Sequence, residues 1–202
     1  MAIHLLLATN NQGKVAEYLA FLEALPLVLV TPSQAGIMTA PEETGGTFEE
    51  NALLKARYYA ERSGLLTLAD DSGLEVDVLN GGPGIYSARY GGPGASDADR
   101  VEKLLKALEG VPWEQRTAKF RCVVALVSPD GTEDTFHGAR EGYVTLEARG
   151  NNGFGYDPVF FLPTLGQTMA ELSSKAKNQL SHRAEAAFKA VQRLQKETIL
   201  AR

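Results

Sequence analysis

Three short segments of the chain carry residue types suited to phosphate and metal chemistry. Ala69-Asp70-Asp71-Ser72-Gly73 and Thr9-Asn10-Asn11-Gln12-Gly13-Lys14 each follow an apolar, strand-like run. Gly153-Phe154-Gly155-Tyr156-Asp157 is a glycine-rich loop with two aromatic rings and a carboxylate. Neighbouring residues at a strand end point to opposite sides, so Asp70 and Asp71 have different surroundings. One of them could hold Mg²⁺, which takes one or two carboxylates, several waters and substrate phosphates. That carboxylate or its neighbour could also orient and deprotonate a water beside the metal. Thr9 to Lys14 turns from a strand into a helix, and can aim backbone N–H groups, a helix N-terminus and the Lys14 ammonium at a phosphate. It is not a P-loop, because the upstream glycine is missing and Val15 stands where Ser or Thr is required. Phe154 and Tyr156 could stack on a base while Asp157 accepts from ring N–H groups. Together the segments point to a site for a magnesium-bound nucleotide.

Other chemistry-bearing residues have plainer explanations beside the functional one. Glu50 fits a capping box opened by Thr47, whereas Glu43 has no capping role and is a further ligand candidate. Lys55 lies on the helix that Thr47 opens, where a lysine by itself reads as a solvated face residue. Ser181-His182-Arg183 opens the last helix, either as an N-cap with two exposed residues or with His182 and Arg183 donating to ring carbonyls. Cys122, the single cysteine, sits in the apolar run to Val127 and reads as a small buried hydrophobe. His4 and His137 read as structural.

The elements that must position these residues follow from periodicity and caps. Strands are predicted at Ile3 to Ala8, Leu27 to Val30, Leu65 to Ala69 and Thr117 to Val127. Two more follow the Pro129-Asp130-Gly131 turn, at about Thr135 to Ala139 and Gly142 to Ala148. Helices are predicted after Gly13 with Val15, Leu19 and Leu22 on one face, and from Thr47 to near Gly64 with Ala52, Leu53, Ala56 and Tyr59 inward. Further helices start at Ser96, with Val101, Leu104, Leu105 and Leu108 inward, and near Ser181, with Ala184, Phe188, Val191 and Leu194 buried. Thr31 to Gly46 is irregular. Strands alternating with helices early and a hairpin in the middle make an α/β fold, a mixed sheet flanked by helices.

A length of 202 residues, 44% hydrophobic and 22% charged, fits one α/β domain that buries its core without disulfides. A lone thiol and the lack of a signal-peptide pattern favour the reducing cytoplasm, and no apolar run approaches membrane-spanning length. The net charge of −5 and the absence of a basic stripe disfavour nucleic-acid binding. A small anionic substrate remains compatible, since a few lysines and a metal reverse the potential locally.

Six blocks in order resemble one family, the inosine triphosphate pyrophosphatases, over nearly the whole chain. They are Ala8 to Lys14, Thr47 to Ala56, Ala69 to Leu74, Pro83-Gly84-Ile85-Tyr86-Ser87-Ala88-Arg89-Tyr90, Gly153 to Pro158 and Ser181 to Arg183. Asn10-Asn11 stands where relatives often have Gly-Asn. The resemblance implies an elongated mixed α/β fold of two lobes with the nucleotide in the cleft, one ITPase-like domain over residues 1–202, and a homodimer. It implies Mg²⁺-dependent hydrolysis of non-standard purine nucleoside triphosphates such as ITP, dITP and XTP to the monophosphate and pyrophosphate, cleansing the nucleotide pool. Position by position, it makes Asp71 the metal-linked catalytic aspartate and Glu43 an acidic metal ligand. Lys14, Lys55 and Lys177 match triphosphate-binding lysines. Thr9, Asn10, Asn11, Gln12, Gly13 and Ser72 match phosphate or sugar contacts. Phe154, Gly155, Tyr156, Asp157, His182 and Arg183 match the base pocket. Competing readings are a Maf-like pyrophosphatase, a nucleotide-binding module without catalysis, and, least favoured, a nucleic-acid-binding protein.

Overall fold

Both segments richest in candidate site residues in the first half of the chain grow out of neighbouring parallel strands. The computed structural model describes residues 3–200, with side chains as far as residue 196. Strand β1 (Ile3–Leu7) leads into α1 (Gln12–Leu22) and β2 (Leu27–Val30). After an irregular stretch come α2 (Phe48–Ser63), β3 (Leu66–Val76) and the short β4 (Gly82–Pro83). They are followed by α3 (Asp97–Ala107), β5 (Thr117–Val127), β6 (Glu133–Val144), β7 (Phe160–Leu162), β8 (Gln167–Thr168), α4 (Ser174–Leu180) and α5 (His182–Leu200). The strands form one mixed sheet in the order β2-β1-β3-β5-β6-β7-β8, with β4 on β3. β1 runs parallel to β2 and β3, with Leu5 opposite both Leu29 and Leu66, while β6–β7 and β7–β8 are antiparallel.

The chain divides into two compact units, and the divisions fall inside β3, β5 and β6 and at the start of α5. The first unit comprises the chain up to Asp71, Cys122–Gly138 and the chain from Arg183 onward. Its core joins Leu5, Leu7, Leu68, Cys122 and Val124 from the strands to Tyr18, Phe21 and Leu22 of α1 and Ala184, Ala187, Ala190 and Leu194 of α5. The second unit comprises Ser72–Arg121 and Ala139–His182. Its core is built on Leu74, Val76, Phe120, Val144 and Phe160 against Val101, Leu104 and Leu108 of the α3 segment. Among the described residues no helix is long and apolar enough to cross a membrane.

The predicted caps are present, with one change. Ser96 and Asp99 form a reciprocal box at α3, and Gly64 closes α2 in the left-handed conformation. Thr47 caps α2 by accepting the Glu50 N–H, but the Glu50 carboxylate reaches past it to the Gly46 N–H at 2.6 Å, so only half of that box forms.

Further expectations are corrected. β3 does not end at Ala69 but continues through the aspartates to Val76, because charged partners on both faces satisfy Asp70 and Asp71 in extended backbone. In place of the two short strands predicted after the Pro129 turn there is one strand, β6, which runs through the expected break and ends at Val144, leaving Thr145 to Ala148 outside the sheet. Glu141, between the two predicted strands, pairs with Lys119 at 3.1 Å, and Gly142 permits the close approach of Phe160 and Phe161. On α1, Leu19 is 51% exposed and the buried face is Glu17, Tyr18, Phe21 and Leu22. On α5, Phe188 is 43% exposed while a row of alanines takes the inner face. The last two misreadings share a cause: a small or charged residue occupies a buried position that hydrophobicity alone gives to Leu or Phe. Leu53 and Leu105 are only partly buried.

Candidate active site

In the first unit, β3 presents two adjacent, buried carboxylates to opposite faces of the sheet. Asp70 meets Lys14 from α1 at 3.0 Å and Arg183 from the start of α5 at 3.1 Å. Arg183 also donates to Glu17 of α1 at 2.7 Å, and the Cys122 thiol donates at 3.8 Å to Asp70 Oδ2, the oxygen that accepts from Arg183. This is a buried network of alternating charge, in which each ion has a partner. Burial works against the Asp70 charge, but Lys14 and then Arg183 outweigh it and hold the carboxyl well below the usual range. Burial likewise pushes the Cys122 thiol up to about 12, helped by the neighbouring Asp70 charge, so it stays protonated and inert.

Asp71 faces α2 instead. Lys55 donates to its Oδ1 at 3.1 Å and Asn51 to its Oδ2 at 3.3 Å. The same Lys55 ammonium donates to Glu43 at 2.7 Å. Burial raises the Asp71 pKa; Lys55 opposes the shift and the Glu43 charge adds to it. Lys55 is itself raised: burial disfavours its charge, and Asp71 and Glu43 more than restore it. Two carboxylates from separate segments therefore converge on one cation. That donor set fits Mg²⁺, a hard cation satisfied by one or two carboxylates with water and phosphate oxygens. Among the described residues no group of three or more metal-ligating side chains gathers, so substrate oxygens and water would complete the shell.

The Thr9–Lys14 turn takes the expected strand-to-helix form. Asn11 is the N-cap of α1, its side chain accepting the Lys14 N–H at 3.1 Å, and Thr9 Oγ1 accepts the Asn11 N–H at 3.2 Å. Asn10, Asn11 and Gln12 are exposed, and Gly13 is partly so. The turn thus offers an accessible helix N-terminus.

The second unit holds the glycine-rich loop. Tyr156 is buried in its core and donates its hydroxyl hydrogen to the Ser87 carbonyl at 2.9 Å, so it anchors the loop and does not present a ring face for stacking. Phe154 is only partly buried, with the Lys177 ammonium 4.4 Å from its ring centre. Asp157 folds back to accept the Phe154 N–H at 2.8 Å and pairs with Lys177, both side chains being buried. Gly153 has a positive φ of 76°, and a Cβ there would overlap the Asp157 carboxylate, so that turn requires glycine. His182 is buried and stacks on Phe120, with ring centres 4.5 Å apart.

The structure thus groups Lys14, Lys55, Asp71 and Glu43 with Arg183 in the first unit, and Phe154 to Asp157 with Lys177 and His182 in the second. Lys177, expected among phosphate-binding lysines, is engaged with Asp157 and Phe154. Arg183, expected to read a base, is clamped by Asp70 and Glu17. Ser72 follows Asp71 on β3 as the first residue of the second unit. Glu17, Asn51, Ser87 and Asp97 were not recognisable in the sequence. Glu17 gave one available signal, a carboxylate at a core-facing helical position.

Comparison with known proteins agrees with this architecture. A model of the Ham1 family matches residues 5–193. The dITP/XTP pyrophosphatase of Bacillus licheniformis is 51% identical over 181 residues, 90% of this chain and 92% of that protein. That of Geobacter sulfurreducens is 52% identical over 182 residues, again 90% and 92%. Among solved structures, a HAM1 protein from Coxiella burnetii superposes with a TM-score of 0.88 at 41% identity, covering 96% of this chain and 99% of that one. The Ham1 protein of Staphylococcus aureus gives 0.87 at 42% identity, with the same coverage. On the match along its length and on the fold it adopts, this chain belongs to the Ham1 family.

Proposed function

We propose that the protein is a nucleoside triphosphate pyrophosphatase that hydrolyses non-standard purine nucleotides, ITP, dITP and XTP, to the monophosphate and pyrophosphate. The observation that carries this reading is the convergence of Asp71 and Glu43 on the Lys55 ammonium, with Asn51 bonded to the far oxygen of Asp71. Relatives at about half identity are named dITP/XTP pyrophosphatases, which supports the substrate class.

Asp71 and Glu43 would hold Mg²⁺, which when bound neutralises charge on the phosphate oxygens. The work of the chain's own residues is then specific. Asp71 orients a water toward the α-phosphorus and takes its proton on a carboxylate oxygen; its raised pKa makes it a better base than an ordinary aspartate. Asn51 fixes the rotation of that carboxylate. Lys14, Lys55 and the N–H groups and side chains of Thr9 to Gly13 bind phosphate oxygens and stabilise charge on the departing pyrophosphate. Ser72 contacts the sugar or phosphate. Phe154, Gly155, Asp157, His182 and Arg183 serve the base, Tyr156 supports them by anchoring the loop, and Lys177, expected on the triphosphate, is placed beside that loop by its pairing with Asp157. Arg183 is only a donor, so it accepts a 6-keto purine and rejects the 6-amino group of adenine. Its clamp by Asp70 and Glu17 supplies the fixed orientation that such discrimination needs. By likeness to the family we also propose one domain of two lobes and a homodimer.

Product analysis tests the proposal. With Mg²⁺ and ITP, XTP, ATP, GTP or UTP supplied separately, IMP or XMP should form with pyrophosphate while ATP and GTP are largely spared. Orthophosphate with a diphosphate product would refute it, and preferential turnover of UTP would favour a Maf-like enzyme.

A further inference from the structure

One block of the sequence, Pro83 to Tyr90, has no part in the chemistry above, yet it is tied to the glycine-rich loop by two routes within the second unit. Ser87 is buried, and its hydroxyl accepts the Leu74 N–H at 2.9 Å and donates to the Gly84 carbonyl at 2.6 Å. Its own carbonyl accepts the Tyr156 O–H. The next carbonyl, that of Ala88, accepts from Arg100 Nη1 at 2.9 Å. Arg100 Nη2 pairs with Asp97 Oδ1, and Asp97 Oδ2 accepts the Gly155 N–H at 2.6 Å. Two successive carbonyls of the block thus hold two successive residues of the loop.

Asp97 is not spent on capping its helix. Ser96 and Asp99 already form the capping box of α3, which leaves the Asp97 carboxylate to Gly155 and Arg100. Partial burial opposes its charge, but the Gly155 N–H and Arg100 hold its carboxyl below the usual range. Gly155 itself has a positive φ of 63° and nothing within 4 Å of a Cβ position, so no side-chain packing fixes its own backbone, whereas Phe154 and Tyr156 on either side are held by Asp157 and Ser87. A glycine loop has many accessible conformations, and a loop competent only part of the time weakens binding by that fraction.

We propose that Asp97 is a positioning residue for purine recognition: linked through Arg100 to the Pro83–Tyr90 block, it holds Gly155, and with it Phe154 and Asp157, in the conformation that takes the base. This rests on the reading above that the loop serves the base.

The test compares Asp97→Asn with Asp99→Asn, which weakens the cap of the same helix without touching the loop. Asparagine at position 97 loses the charge that strengthens the Gly155 bond. Asp97→Asn should raise KM for ITP about tenfold with little change in kcat, the expected size for one charge-assisted hydrogen bond. It should also lower the preference for ITP over GTP and speed amide hydrogen exchange in residues 153–157 of the nucleotide-free protein. Asp99→Asn should lower Tm and leave KM, the preference and loop exchange at parental values. Parental KM and preference in Asp97→Asn, or equal shifts in both variants, would overturn the proposal. If the parent protein turns over no purine triphosphate, the functional reading falls, and loop exchange alone decides the anchor: faster in Asp97→Asn supports it, unchanged overturns it.

Discussion

Asp70 and Asp71, adjacent on β3, are bonded to opposite flanks of the first unit, Asp70 to Lys14 and Arg183 at 3.0 and 3.1 Å and Asp71 to Lys55 and Asn51 at 3.1 and 3.3 Å. The network around the first lowers its pKa, and the surroundings of the second raise it. Two carboxylates shifted in opposite directions are thus made from the same residue type one position apart, by strand alternation and the charges that each face supplies.

Asp71→Asn should cost turnover and not stability. Removing a general base costs about 10² to 10⁴-fold in rate. The charge it removes is one that burial already disfavours, so Tm should stay level or rise. A steady-state assay with a thermal melt checks both, and a substantial fall in Tm would contradict the assignment of roles.

Asp70→Asn should do the reverse of that on stability. It leaves Lys14 and Arg183 short of a buried counter-ion, and breaking a buried pair costs about 3 kcal/mol or more. Denaturant unfolding at neutral pH should show the loss.

The two carboxylates give opposite slopes of stability with pH. Asp70 is lowered on folding, so its contribution is complete above the ordinary value of 3.8 and is lost as pH falls toward the folded value. Asp71 is raised, so its contribution is complete below 3.8 and is lost as pH rises through its folded pKa. Unfolding free energies of Asp70→Asn and the parent should therefore converge in acid below 3.8, while those of Asp71→Asn and the parent diverge, in favour of the variant, as pH rises above it.

Asn51→Ala should lower kcat about tenfold, the worth of one hydrogen bond to a charged group, with a smaller change in KM. Saturation kinetics with ITP decide this, and unchanged kcat would remove Asn51 from the site.

Chelation should abolish turnover, and added Mg²⁺ should restore it. Because the Lys55 ammonium bridges Asp71 and Glu43 and compensates their charge from within the chain, the melting temperature should barely move on chelation.

Much of this was legible in the residues. β5 was predicted at its observed bounds, and the caps Thr47, Gly64 and Ser96 marked helix ends through local chemistry that needs no tertiary context. The charged contacts were less so. Glu17 reaches Arg183 across 166 positions, and Gly155 reaches Asp97 across 58, and no local pattern encodes such pairings. The same holds for Tyr156, whose spacing allowed a stacking ring until the core around Ser87 claimed it. Long-range electrostatics also extended β3 through two aspartates that strand propensity disfavours.

In the proposed reaction, water held by Asp71 attacks the α-phosphorus. Hydrolysis of ITP in ¹⁸O-labelled water, with both products examined by mass spectrometry, tests it directly. Label is expected in IMP and not in pyrophosphate. Label in pyrophosphate would place the attack on the β-phosphorus and rule out the proposed reaction.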